Sequence, residues 1–157
     1  MSKAFTKDDG PTAAEVQRHR PPLPPGVPNY VTLRGLRTLR DELATLGHVP
    51  QGPDHHALAA RRTELEQRIA TAVLVPPPAN RGEVRFGATV TVRDDDGNAR
   101  VVSIVGVDES HPAAGLVAFV APLARALLGH HVGDVVTVRA PGGEEGLAIL
   151  SVDYDRE

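Results

Sequence analysis

Residues 122–134 read PLARALLGHHVGD, and the fold turns on how this stretch is read. Pro122 suits the first position of a helix, where the N–H it lacks would have no partner anyway. Small and apolar residues follow, and Gly129 is a natural stop. The spacing predicts a helix over 122–128, with Leu123, Ala126 and Leu127 packed inward and Arg125 facing solvent or a partner. His130 and His131 then fall in the loop leading to Gly133 and Asp134. Adjacent side chains point in different directions, so this pair is a poor chelator. It reads as a loop, not as a metal or catalytic site.

The surroundings of this helix are strands. VRFGATVTVR, residues 84–93, alternates around Val84, Phe86, Val90 and Val92 as a half-buried strand does. DDDGN, residues 94–98, is a hairpin turn, with Asp96-Gly97 at its tip. A calcium-loop spacing would put Val92 and Ser103 at its first and last ligand positions, which excludes that reading. ARVVSIVGV returns, ESHPAAG turns, and LVAFV is a third strand. DVVTVRA, a PGGEEG turn and LAILSVDY complete a small, mostly antiparallel sheet over residues 81–157. Its expected core is Phe86, Val90, Ile104, Leu127, Val136 and Leu150. Ser103 and Ser110 have no His and Asp in a recognisable triad arrangement.

Upstream, residues 32–74 predict an antiparallel helical hairpin, a short coiled coil. Thr32 is a suitable N-cap. Leu36, Leu39, Leu43 and Leu46 recur at spacings of three and four, and Gly47 ends the first helix. That helix has about 15 residues, roughly 22 Å at 1.5 Å per residue. HVPQGPD forces the turn, and Asp54 is placed to cap a second helix with Leu58, Leu65, Ile69 and Ala72 along its apolar stripe. VPPPAN, residues 75–80, is a stiff linker. Residues 1–31, with six prolines between Pro11 and Pro28, read as an extended or disordered tail. The fold class is therefore α+β.

Composition narrows the function. The chain has 157 residues and no cysteine, which removes disulfides, thiolate metal sites and thiol nucleophiles. Net charge is −3, and the half from residue 75 onward carries seven basic against twelve acidic residues. That argues against a nucleic-acid groove, which needs clustered positive charge. Neither a membrane-spanning run nor a signal peptide is visible, so a cytoplasmic location is expected, and the chain is expected to act as a monomer.

The order of hairpin then β domain, with VRFGATVTVRDDDGNARVVSIVGVDES and APLARALLGHHVGDVVTVRAPGGEEGLAIL, resembles the Gre family of bacterial transcription elongation factors. Thr32, Gly35, Leu39, Glu42 and Leu43 fall in that family's pattern for the first coiled-coil helix. The resemblance implies a coiled coil that enters the secondary channel of RNA polymerase and an FKBP-like domain that docks on its rim. It also implies an acidic tip that holds a second magnesium ion to induce cleavage of backtracked RNA.

This chain departs from the pattern at that tip. Asp54 is the only carboxylate between Glu42 and Glu64, beside His48, His55 and His56. One carboxylate is a poor magnesium clamp, and imidazoles suit softer metals. The expectation is a polymerase-binding regulator of elongation that does not stimulate cleavage and competes for the secondary channel. No catalytic residue, metal or cofactor of its own is expected. The docking corner falls at Val120, Ala121, Pro122 and Arg125. The alternative is an FKBP-like protein-binding or peptidyl-prolyl isomerase module, for which Phe86, Phe119 and Tyr154 are the aromatic residues of the domain.

Overall fold

The computed structural model describes residues 20–154. The tail expected over residues 1–31 therefore lies mostly outside them, but its end does not behave as a tail. Asn29–Val31 form strand β1, paired in parallel with β2, Ala72–Leu74. Val31 is fully buried, and the Asn29 amide donates to the Arg68 carbonyl and the Thr71 hydroxyl, both at 3.3 Å. The same pairing takes Ala72 out of the second helix, where the apolar stripe had placed it.

Helix α1, Leu33–Leu46, starts where expected: the Thr32 hydroxyl accepts from the Gly35 N–H at 3.0 Å. Leu36 and Leu39 are buried, while Leu43 and Leu46 are half-buried. Gly47 ends the helix at a positive φ of 46°, its N–H reaching the Leu43 carbonyl. Helix α2, His55–Thr71, buries Leu65 completely. Asp54 stands at its N-cap position but makes no side-chain cap bond, so the expected capping role is not met. The two helices lie side by side. Arg61 donates to both Glu42 oxygens, at 2.6 and 2.8 Å, and Arg62 donates to the Gly47 carbonyl at 2.7 Å. Residues 75–80 carry no helix or strand.

The remaining chain forms a five-stranded sheet in the order β5-β4-β3-β7-β6. Its strands are β3 (Ala88–Arg93), β4 (Ala99–Val105), β5 (Leu116–Ala118), β6 (Val135–Ala140) and β7 (Gly143–Tyr154). All neighbours are antiparallel except β4 and β5. Parallel pairing needs a crossover, and two short 3₁₀ turns, Val107–Glu109 and Pro112–Ala114, provide it where a simple turn was expected. Asp94 organises the β3–β4 turn: its carboxylate accepts from the N–H groups of Asp96 and Asn98, both at 2.9 Å.

Two boundaries differ from the sequence expectation. Strand β3 begins only after Gly87, at φ 89°, and Phe86 ahead of it is half-buried against Tyr30 and Phe119 rather than core. On the other side, PGGEEG is not a six-residue turn. Ala140 pairs with Gly143 and Arg139 with Glu144, which leaves Pro141-Gly142 as the reversal.

A bulge decides which side chains of β7 face inward. Thr91 pairs with Ser151 but Val92 pairs with Ile149, so Leu150 is the extra residue. Before the bulge, Leu147 and Ile149 point in; after it, the inward parity switches, and Tyr154 is the buried residue at the strand end. Leu150 is thrown outward and is 40% exposed, which corrects its place in the expected core. Val90, Ile104, Leu127 and Val136 are buried as expected.

Helix α3, Pro122–Leu127, covers the inner face of the sheet and places Ala124 and Leu127 in the core at zero exposure. No helix among the described residues is long and apolar enough to cross a membrane.

Candidate functional site

The corner that leads into α3 is built by a turn. The Ala121 N–H closes on the Ala118 carbonyl at 2.9 Å, and Pro122 occupies the first helical position with nothing to cap. Val120 and Ala121 are half-buried, and Pro122 and Arg125 are exposed. The four residues expected to dock therefore fall within one short segment of chain at this corner. It is apolar on its approach and carries one cation, and it is held from behind by Ala124 and Leu127. After α3, Gly129 at φ 88° turns the chain, and its N–H reaches the Val84 carbonyl at 2.8 Å.

The histidines that follow are exposed. What pins this loop is Asp134, whose carboxylate accepts from the His131 N–H at 2.8 Å. The imidazoles approach the same carboxylate, at 3.5 Å for His130 and 3.9 Å for His131. The backbone hydrogen bond, with His130 and His131 nearby, holds the Asp134 carboxyl below its ordinary value of 3.8.

At the other end, the link between α1 and α2 brings His48, Asp54, His55 and His56 into one turn without joining them. His55 Nδ1 lies 3.1 Å from the Pro50 carbonyl, and its ring meets that of His56 at 5.7 Å. Asp54 is exposed and its carboxylate touches no described partner. Glu42 and Glu64, the carboxylates that flank the turn in sequence, are both committed to Arg61. Those hydrogen bonds, from Glu42 first, raise the Arg61 guanidinium above its usual value.

The densest polar structure lies elsewhere, where the helices meet the sheet. Asp108 and Glu109, consecutive in one 3₁₀ turn, reach opposite helices. Asp108 Oδ1 receives Arg20 Nε at 2.6 Å and Arg68 Nη1 at 3.1 Å. Glu109 accepts from the Thr32 hydroxyl at 2.6 Å. Burial pulls the Arg68 guanidinium below its usual value, and the Asp108 charge opposes that. A cleft of about 400 Å³ opens beside this joint, but the guanidinium groups of Arg20, Arg61 and Arg68 on its wall are already neutralised by carboxylates.

Arg20, Arg68, Asp108 and Glu109 were not among the residues singled out from the sequence, since acids in a turn ordinarily face solvent. Gly35 was the available signal: a glycine within the first two turns of a helix implies a close neighbour. Aromatic packing was missed too. Tyr30 lies 5.3 Å from Phe119 and 5.9 Å from Phe86, with those two rings 5.5 Å apart edge to face.

Comparison with known proteins finds relatives of this chain. Residues 78–154 match the family described as transcription elongation factor GreA/GreB, C-terminal. A transcription elongation factor GreA from Alkalilimnicola ehrlichii is 36% identical over 152 residues, covering 79% of this chain and 96% of the relative. A GreB from Neisseria meningitidis serogroup B is 33% identical over 153 residues, covering 80% of this chain and 94% of the relative. A solved GreA/GreB from Nitrosomonas europaea is 24% identical at a TM-score of 0.45, over 80% of this chain and 98% of that one. The first alignment spans about 124 residues here against 152 aligned positions, so roughly 28 positions of the relative have no counterpart. With that identity sustained over nearly the whole length of its relatives, and the C-terminal family matched across the sheet and α3, the chain belongs to the GreA/GreB family of transcription elongation factors.

Proposed function

We propose that this protein binds bacterial RNA polymerase as a cytoplasmic monomer and regulates transcript elongation without stimulating transcript cleavage. Residues 81–157 are the docking unit, of FKBP-like type, and Val120, Ala121, Pro122 and Arg125 form its contact ledge. The hairpin of residues 32–74 occupies the mouth of the secondary channel and competes there with cleavage-competent relatives. The protein performs no chemistry of its own.

The observation that carries this reading is the tip. Induced hydrolysis asks a factor to hold a second magnesium ion and a water, and magnesium requires several oxygen ligands in near-octahedral positions. Asp54 is the one carboxylate between Glu42 and Glu64, and those two are held by Arg61. Reach points the same way: α1 has 14 residues and α2 has 17, so the arms are about 21 and 25 Å long. An isomerase would need an open aromatic pocket, whereas Phe86 and Phe119 are packed against each other and Tyr30.

Stalled, backtracked polymerase complexes with end-labelled RNA test this directly. The protein is expected to leave the transcript intact and to slow cleavage by an added competent relative in a dose-dependent way. Pro122→Ala combined with Arg125→Glu should weaken that competition while the far-ultraviolet spectrum stays unchanged. Shortened transcripts well above polymerase alone, lost on Asp54→Ala, would overturn the reading of the tip.

A further inference from the structure

The joint between hairpin and sheet is held at three points. The first grips the start of α1. Glu109 Oε1 accepts from the Thr32 hydroxyl at 2.6 Å, while Oε2 faces the Thr32 and Gly106 N–H groups at 3.5 and 3.3 Å. Helix α1 can come this close only because residue 35 is glycine: a Cβ there would land inside the Glu109 carboxyl group. The second point grips the last turns of α2. Arg68 meets Asp108, and the two side chains are 11% and 4% exposed. A carboxylate that buried requires its countercharges, so this is not a loose surface pair.

The third point comes from the segment before β1. Arg20 places its guanidinium on the same Asp108 oxygen at 2.6 Å. From there the chain runs to β1, where Asn29 holds the end of α2 and the Tyr30 ring lies against Phe86 and Phe119 of the sheet unit. The Tyr30 carbonyl sits so close to Gly106 that a side chain there would collide with it. One short stretch thus touches α2, the sheet unit and the acid that joins them.

We propose that residues 20–31 act as a strap and Asp108–Glu109 as a two-pronged latch, together fixing the direction in which the hairpin leaves the sheet domain. Either prong alone leaves a pivot. Turning the hairpin about the Thr32–Glu109 contact pulls Arg68 from Asp108, and turning it about Asp108 drives Gly35 off Glu109. The strap closes the remaining freedom by pairing with β2. This is a property of the free protein and stands independently of the polymerase reading.

The chain has no cysteine, so spin labels can be placed uniquely. Thr45→Cys near the end of α1 and Thr137→Cys on β6 are both at exposed positions. Pulsed electron–electron distance measurements on the full chain should give one narrow distribution. Asp108→Asn should broaden it about twofold, and Arg20→Gln should broaden it by a smaller factor in the same direction. Gly35→Ala should shift its mean, because Glu109 must move aside. Arg20 lies outside both cores, so that variant remains informative where Asp108→Asn lowers folding. Distances that overlay the parent in Arg20→Gln overturn the strap. A lower unfolding midpoint with unchanged distances in Asp108→Asn overturns the latch, since that is what a purely stabilising contact would produce.

Discussion

The sheet unit and the hairpin are held together in different ways. The sheet and α3 enclose thirteen buried residues in one cluster, from Val84 to Tyr154, with Leu127, Leu147 and Ile149 at or near zero exposure. The two helices bury far less: Leu36, Leu39 and Leu65 are buried, Leu43 and Leu46 are half-exposed, and Arg61 of one helix pairs with Glu42 of the other. Apolar burial scales with area removed from water, so the sheet unit is stabilised by its own core. The hairpin has too little of that area and depends on the charged joint at its base. The sheet unit is held by apolar burial, and the hairpin is joined to it by a few polar contacts at its base.

Truncating one leucine on each side gives the largest expected effect. Leu127→Ala should cost about 2–5 kcal/mol, as buried leucines do, and should collapse all signals of the sheet unit in denaturant. Leu65→Ala should instead lose helical ellipticity at lower denaturant while the amide spectrum of the sheet persists. Coincident loss of every probe in both variants would show one cooperative unit and break the comparison.

Ion pairs sharpen it at a smaller scale. Arg61 is 22% exposed and joins the two helices, so Arg61→Ala should cost about 0.5–1 kcal/mol, read as an earlier helical transition. Arg85 in the sheet unit is 57% exposed and pairs with nearby Glu83, so Arg85→Ala should stay within about 0.5 kcal/mol. Equal losses at the two sites would mean that the hairpin relies on charge no more than the sheet does.

The smallest effect is set by pH at the loop after α3. Asp134 has a folded value below 3.8, so its contribution is fully present above that ordinary value and is lost as pH falls through the depressed one. Asp134→Asn should therefore be slightly less stable than the parent at neutral pH and converge with it in strong acid. Parallel stability curves for parent and variant, with no convergence, would remove this role from Asp134.

Local patterns were legible where one face of an element meets one surface. The alternation in β3, the leucine spacing of α1, the Thr32 cap and the Pro122–Gly129 limits of α3 are all written in residues a few positions apart. Leu150 was misjudged because a bulge is a property of two strands: alternation within β7 cannot reveal that Ser151 and Ile149 take consecutive partners on β3. Phe86 escapes the pattern because it lies ahead of β3 and packs against Tyr30 and Phe119, partners far away in the chain. The candidate tip and docking ledge were readable as positions, while the joint was not.

By itself, the amino-acid sequence determined the helical hairpin, the mostly antiparallel sheet, the family and the poverty of carboxylates at the hairpin turn, because these depend on residue type, periodicity and short spacings. Tertiary structure alone decided that the end of the proline-rich segment is a strand, and that Asp108 and Glu109 turn inward to hold two helices. It also decided that Gly35 is required by a neighbour 74 positions away. Strand pairing and buried charge are settled by partners distant in the chain, and their energies exist only once those partners have met and water has been excluded.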